Sequence, residues 1–278
     1  MKYFTNNRFL VILILCLSVS GAFAEPIFRA KFNSNIAYVI DVDNQKVLHD
    51  KNSSKQAPIA SITKLMAAMV VLDEGQDLEE FITIINDDIA WQSSARYKLS
   101  LGAKIRREEA LLLGLMSSEN RSMNALARTY PGGKVALTQA MNAKAQSLGM
   151  INTFFVDSTG LSSENISSAR DLIILMNESL KYPLIREYST TPSYQVAQTK
   201  KRFQNFVNTN PIVRSNTMDV LMQKTGYITA AGRCLVIHAK IQGRNIAMVF
   251  LNSKGKSARF HDAALAKKNI EKVLSNQY

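Results

Sequence analysis

Apolar and polar positions alternate with period two near both ends of the chain and recur at helical spacing between them. Residues 35–52, "NIAYVIDVDNQKVLHDKN", hold two β-rich runs broken at "DNQ", which predicts a hairpin. A helix is predicted over 61–73, closed by Gly75. Its Ile62 and the run from Leu65 to Leu72 leave no polar face, so it is expected to be central and buried. From about 86 to 188 the pattern turns helical, with periodic stretches at 107–116, 121–130, 134–149 and 169–182. After Pro192 strands return, with 233–241 and 245–252 joined through "QGR", and an amphipathic helix is expected over 259–277. Strands at both ends with helices between them predict an α/β (α+β) fold. An antiparallel sheet is completed by the two termini and flanked by helices, with a helical lobe at about 86–188 inserted in it.

The only polar groups of the 61–73 helix, Ser61, Thr63 and Lys64, sit in its first turn. Residues i and i+3 share a helix face, so the Lys64 amine can reach the Ser61 hydroxyl. A desolvated lysine, more so beside a second cation, titrates low enough to accept a proton. The Ser61 N–H, at a helix start, has no intrahelical acceptor and can donate to a developing oxyanion. Ser253 and Lys256 repeat the Ser-x-x-Lys spacing in "NSKGKS", where glycine and polar neighbours predict a loop.

Two later stretches single out Ser61. "LMSSENRSMNALA" places Ser118, Glu119 and Asn120 between two helical patterns, and "MQKTGYITAAGRCLV" places Lys224, Thr225 and Gly226 beside a strand. Ser-x-x-Lys, Ser-x-Asn and Lys-Thr-Gly in that order form the signature of class A β-lactamases and penicillin-binding proteins. A Ser-x-Asn turn can aim a second hydroxyl at the lysine, and Asn120 can bond both that lysine and a substrate amide. A Lys-Thr-Gly strand edge can pair with an extended peptide, offer a cation and a hydroxyl to a carboxylate, and approach closely at Gly226. The backbone N–H of Tyr227 is a second oxyanion donor on this reading. Ser122 and Asn124 also fit Ser-x-Asn, but they fall inside the next helix, so the pair at the break is preferred.

Composition narrows the setting. The chain has 278 residues, 46% hydrophobic, enough for one domain, expected over 25–278. Residues 1–24 carry Lys2 and Arg8, an apolar run and small residues at Ala22 and Ala24, the pattern of a cleaved signal peptide. Removing them takes away Cys16, leaves Cys234 alone, and brings the net charge from +12 to +10. A basic exported protein suits an anionic polymer; nucleic acid is not expected, and "TKKRFQNF" (199–206) reads as a solvated strand or loop face. His49, His238 and His261 lack ligand spacing, so no metal is expected, and "PGGK" (131–134) reads as a helix-to-helix turn. Asp157 reads as a turn former.

With "FVDSTGLSSENISSARDL" (155–172), "NTNPIVR" (208–214) and "QKTGYITAAGRCL" (223–235) beside the triple, nearly all of the chain after residue 24 resembles the low-molecular-mass penicillin-binding proteins of the D-alanyl-D-alanine endopeptidase type. The resemblance implies the serine β-lactamase/DD-peptidase-like fold and no cofactor. It implies Ser61 as nucleophile, Lys64 as base, Ser118 and Asn120 as relay and positioning groups, and Lys224, Thr225 and Gly226 as substrate-binding groups. Arg259 is a weaker candidate for the substrate carboxylate. Peptidoglycan stems and cross-links are the implied substrate and β-lactams the covalent inhibitors, in the periplasm. The 259–277 helix alternates its charges and is expected to be a soluble face rather than a membrane anchor. The alternatives are a carboxypeptidase and, in another class, a non-hydrolytic penicillin sensor or scaffold. A β-lactamase is disfavoured because no Glu-x-x-Leu-Asn occurs.

Overall fold

The computed structural model describes residues 27–89, 98–199 and 202–275. The proposed signal peptide and the last two residues of the predicted C-terminal helix lie outside them. In chain order the strands are β1 (Ser34–Asp41), β2 (Lys46–Lys51), β3 (Ala57–Pro58), β4 (Phe81–Thr83), β5 (Lys104–Arg106), β6 (Ile166–Ser167), β7 (Ser193–Thr199), β8 (Arg202–Val207), β9 (Asp219–Ile228), β10 (Gly232–Ile241) and β11 (Arg244–Ser253). The helices are α1 (Thr63–Asp73), α2 (Arg107–Met116), α3 (Asn120–Thr129), α4 (Gly133–Ser147), α5 (Ala169–Ser179), α6 (Pro183–Thr190), α7 (Pro211–Ser215) and α8 (Ala258–Ser275).

The main sheet runs β2-β1-β11-β10-β9, antiparallel throughout, so strands from both ends of the chain close it as expected. Period two in these strands sorts side chains between two cores. Ile36, Tyr38 and Ile40 of β1 with Val249 and Leu251 of β11 face the core that α1, α2, α3 and α5 share. Ala37, Val39, Met248 and Phe250 face the other core, against Ala263, Ala266 and Ile270 of α8. With both faces covered, the inner strands read as nearly unbroken apolar runs, which is why they stand out in the sequence.

Helix α1 is buried from Thr63 to Val71, as its lack of a polar face requires. It starts later than expected, because Ala60–Ile62 form a 3₁₀ turn ahead of it and Ser61 belongs to that turn. The predicted helix over 169–182 ends at Ser179, and Pro183 opens a separate helix, α6, at a position where its missing N–H costs nothing. The first helical residues of the 86–188 region form one 3₁₀ turn at Asn86–Asp88, and just before α2 the short strand β5 pairs antiparallel with β4. Gly132 and Gly133, both at positive φ, make the turn between α3 and α4. Of the two readings of 199–206, the strand is found: β8 pairs with β7, largely exposed. Ser253 is not in a loop; it ends β11, buried, with its hydroxyl 2.6 Å from Ser34 Oγ.

Candidate active site

Three distant segments converge on Ser61. Ile59 N–H donates to Asn165 O, tying the turn to the loop after α4, while β3 pairs with β6. Ala60, fully buried, takes a left-handed φ of 48°, a conformation that costs a non-glycine residue energy and turns the chain sharply into Ser61. Two glycines let neighbours press on this turn. A Cβ on Gly160 would stand 1.9 Å from Ala60 O, and one on Gly226 would stand 2.9 Å from Ile59 O and 3.1 Å from Ser61 N. Gly160 also has φ +80°. Gly160→Ala is therefore expected to destabilise the protein by about 2 kcal/mol or more and to slow Ser61 acylation at least about tenfold. Thermal unfolding and stopped-flow acylation check both, and an unchanged variant would mean that Gly160 does not shape this turn.

Lys64, fully buried, donates from Nζ to Ser61 Oγ at 2.9 Å, to Asn120 Oδ1 at 2.8 Å and to the Thr159 carbonyl at 2.6 Å. Burial pulls its pKa down to about 7, against the opposing pull of Asp157 and Glu119. Asp157, the turn former, does more than turn the chain: its carboxylate accepts from Thr159 N–H and Oγ1, from the N–H groups of Gly160 and Ser162, and from Asn165 Nδ2. Those bonds hold its own pKa low despite its burial, and they fix the Thr159 carbonyl over Lys64.

Of the two Ser-x-Asn pairs, the first brings its asparagine, Asn120, to the lysine. Ser122 Oγ donates to Glu119 O and Asn124 Nδ2 to Asp88 O, both away from it. Ser118, at φ +60°, lines the cleft beside Ser61, but among the described residues no hydrogen bond joins its hydroxyl to Lys64. The main-chain oxygen of Thr159 takes the third donor instead. Glu119, buried and raised in pKa chiefly by that burial, accepts from Arg121 N–H at the start of α3.

Lys224, Thr225 and Gly226 lie on β9, the edge strand, where alternate backbone groups have no partner strand. Thr225 Oγ1 is 2.6 Å from Thr209 Oγ1. Lys224 is fully buried, and burial, followed by the charges of Lys64 and Arg259, holds its pKa well below the ordinary lysine value. An anion in the cleft offsets this and favours the charged form. The cleft has a volume of ≈ 580 Å³ and also takes in Tyr227, Arg233 and Arg259. Arg259 is 6% exposed and donates from Nη1 to Lys256 O, while its Nε has no partner. Burial first and Arg233 second push its pKa down to about 10.

Sequence reasoning missed Thr159, Thr209, Gly160 and Arg233. Gly160 stood in plain view in "DSTG", whereas Thr159 acts through its main chain and leaves no signal. Among the described residues no group of three His, Cys, Asp or Glu is placed to hold a metal. His49 is buried on β2 beside Phe28 and Phe32, His238 is buried on β10, and His261 is exposed on α8. No described helix is long and apolar enough to cross a membrane.

Comparison with known proteins gives the family. The chain is 42% identical to a D-alanyl-D-alanine endopeptidase of Pseudomonas aeruginosa over 96% of its length and 89% of the relative. It is 41% identical to one of Escherichia coli over 90% of its length and 81% of the relative. The crystal structure of the Streptomyces K15 DD-transpeptidase superposes with a TM-score of 0.78 at 25% identity, covering 86% of this chain and 97% of that one. The family model described as D-alanyl-D-alanine carboxypeptidase matches residues 23–255, so the chain belongs to that family of serine hydrolases, peptidase family S11.

Proposed function

We propose that the protein is a serine D-alanyl-D-alanine endopeptidase that cleaves peptidoglycan cross-links through an acyl-enzyme on Ser61. The observation that carries this reading is the buried Lys64 amine 2.9 Å from Ser61 Oγ, beside an edge strand able to hold an extended peptide. Neutral Lys64 takes the Ser61 proton as Oγ attacks the D-alanyl carbonyl. The Ser61 and Tyr227 N–H groups receive the oxyanion. The proton then passes to the departing amine by way of Ser118, the C–N bond breaks, and water hydrolyses the ester. Asn120 orients both Lys64 and the substrate amide. Lys224, Thr225 and Arg259 take the carboxylate next to the scissile bond, and penicillin, carrying the same carboxylate, acylates the same serine. The work is placed in the periplasm, on the strength of the leader-like residues 1–24 and the basic charge. The names of the two relatives support cross-links over chain ends as the substrate.

Purified enzyme should convert cross-linked dimeric muropeptides to monomers faster than it releases D-alanine from monomeric pentapeptides, as followed by chromatography of the products. Release of terminal D-alanine with dimers left intact would make it a carboxypeptidase.

A further inference from the structure

The cleft holds two guanidinium groups, and among the described residues no carboxylate lines it. The substrate of a chain-end peptidase gives up a single amino acid bearing one carboxylate, which Lys224, Thr225 and Arg259 already suffice to bind. Arg233 is then a cation in excess. It forms no ion pair among the described residues, and it stands close enough to Arg259 to disfavour that residue's charge.

Its placement is nonetheless built. Arg233 and Tyr227 are register partners on β10 and β9, so their side chains leave the same face of the sheet. The guanidinium carbon sits 4.3 Å from the Tyr227 ring centroid. Tyr227 is 53% exposed, so the stack stands at the open rim rather than in the floor where Arg259 lies. The ring contact holds the guanidinium without using its N–H groups in an ion pair among the described residues, and a guanidinium so held can grip a carboxylate with two bonds.

Resting on the cross-link reading above, we infer that Arg233, held on Tyr227, binds a second carboxylate on the leaving peptide, the free α-carboxylate of its γ-linked glutamate. A cross-link differs from a chain end in this respect: its leaving group is a diamino acid with one carboxylate beside the released amine, and the attached stem carries another further on. A single released D-alanine has nothing to offer Arg233. The residue thus favours cross-links without touching the bond that breaks.

The test uses cross-linked dimers whose acceptor glutamate is either the free acid or the α-carboxamide, with active sites counted by the penicillin adduct so that partial unfolding cancels. Wild type should cleave the free-acid dimer about tenfold better in kcat/KM, mostly through KM, as one charged hydrogen-bond pair provides. In Arg233→Gln the preference should collapse to about one, and Arg233→Lys should restore part of it. A wild type that cleaves both dimers equally, or an Arg233→Gln variant that keeps the preference, overturns the assignment while leaving the endopeptidase reading intact. A wild type that releases only terminal D-alanine overturns both.

Discussion

Replacing Lys64 with arginine is expected to slow acylation of Ser61 by penicillin about 10³-fold or more, within the range a positioned general base contributes. Arginine keeps the cation but holds its proton at any pH the protein survives, so it cannot take the Ser61 proton. Lys64 is fully buried, with its amine bonded to Ser61, Asn120 and Thr159, so the longer guanidinium would also have to displace these contacts. The check is the rate of adduct formation at Ser61 by mass spectrometry, with thermal unfolding of the variant to separate lost chemistry from a lost fold. A folded Lys64→Arg enzyme that acylates at the wild-type rate would remove Lys64 from the base role. An adduct on Ser118 or Ser253 would remove Ser61 from the nucleophile role.

The parts of this site that could be read from the chain are those set by local geometry. Ser61 and Lys64 are three residues apart on one turn, and Lys-Thr-Gly announces itself beside an alternating strand, so each is placed before any contact between distant segments is known. The inner strands and α1 were equally plain because burial on all sides leaves long apolar runs in each. What escaped depends on approach across the fold. Thr159 offers a carbonyl, which any residue type supplies, and only the Asp157 bonds bring it to Lys64. Ser118 illustrates the converse: its hydroxyl was expected at the lysine, but the left-handed turn at 118 leaves it lining the cleft. Arg233 looked like a strand residue with a charge, and its meaning comes from Tyr227 across the ladder and Arg259 from another element. The break at Ser179 was missed because apolar spacing runs on through Leu180 and Tyr182, and only Pro183 marks the new start.

Acylation should follow a single proton lost near pH 7, falling tenfold for each unit below it and about 100-fold by pH 5. Burial depresses the Lys64 pKa because no water solvates the ammonium, so the neutral base that acylation needs is already half-formed at neutral pH. Asp157 and Glu119 oppose the shift, and without them the limb would lie lower still. Stability should move with the same proton. Between about pH 7 and the ordinary lysine range the unfolded chain binds a proton at Lys64 that the folded chain has lost, so unfolding free energy rises with pH across that window. Below pH 7 both states hold the proton and this contribution stops changing. The rate and the stability therefore climb together from neutral pH, although the rate levels off where Lys64 is fully neutral and the stability continues upward toward the unfolded value. Penicillin acylation rates and urea unfolding, each taken from pH 5 to 9, separate the two. A rate independent of pH over that range would mean that Lys64 is neutral throughout or does not take the proton.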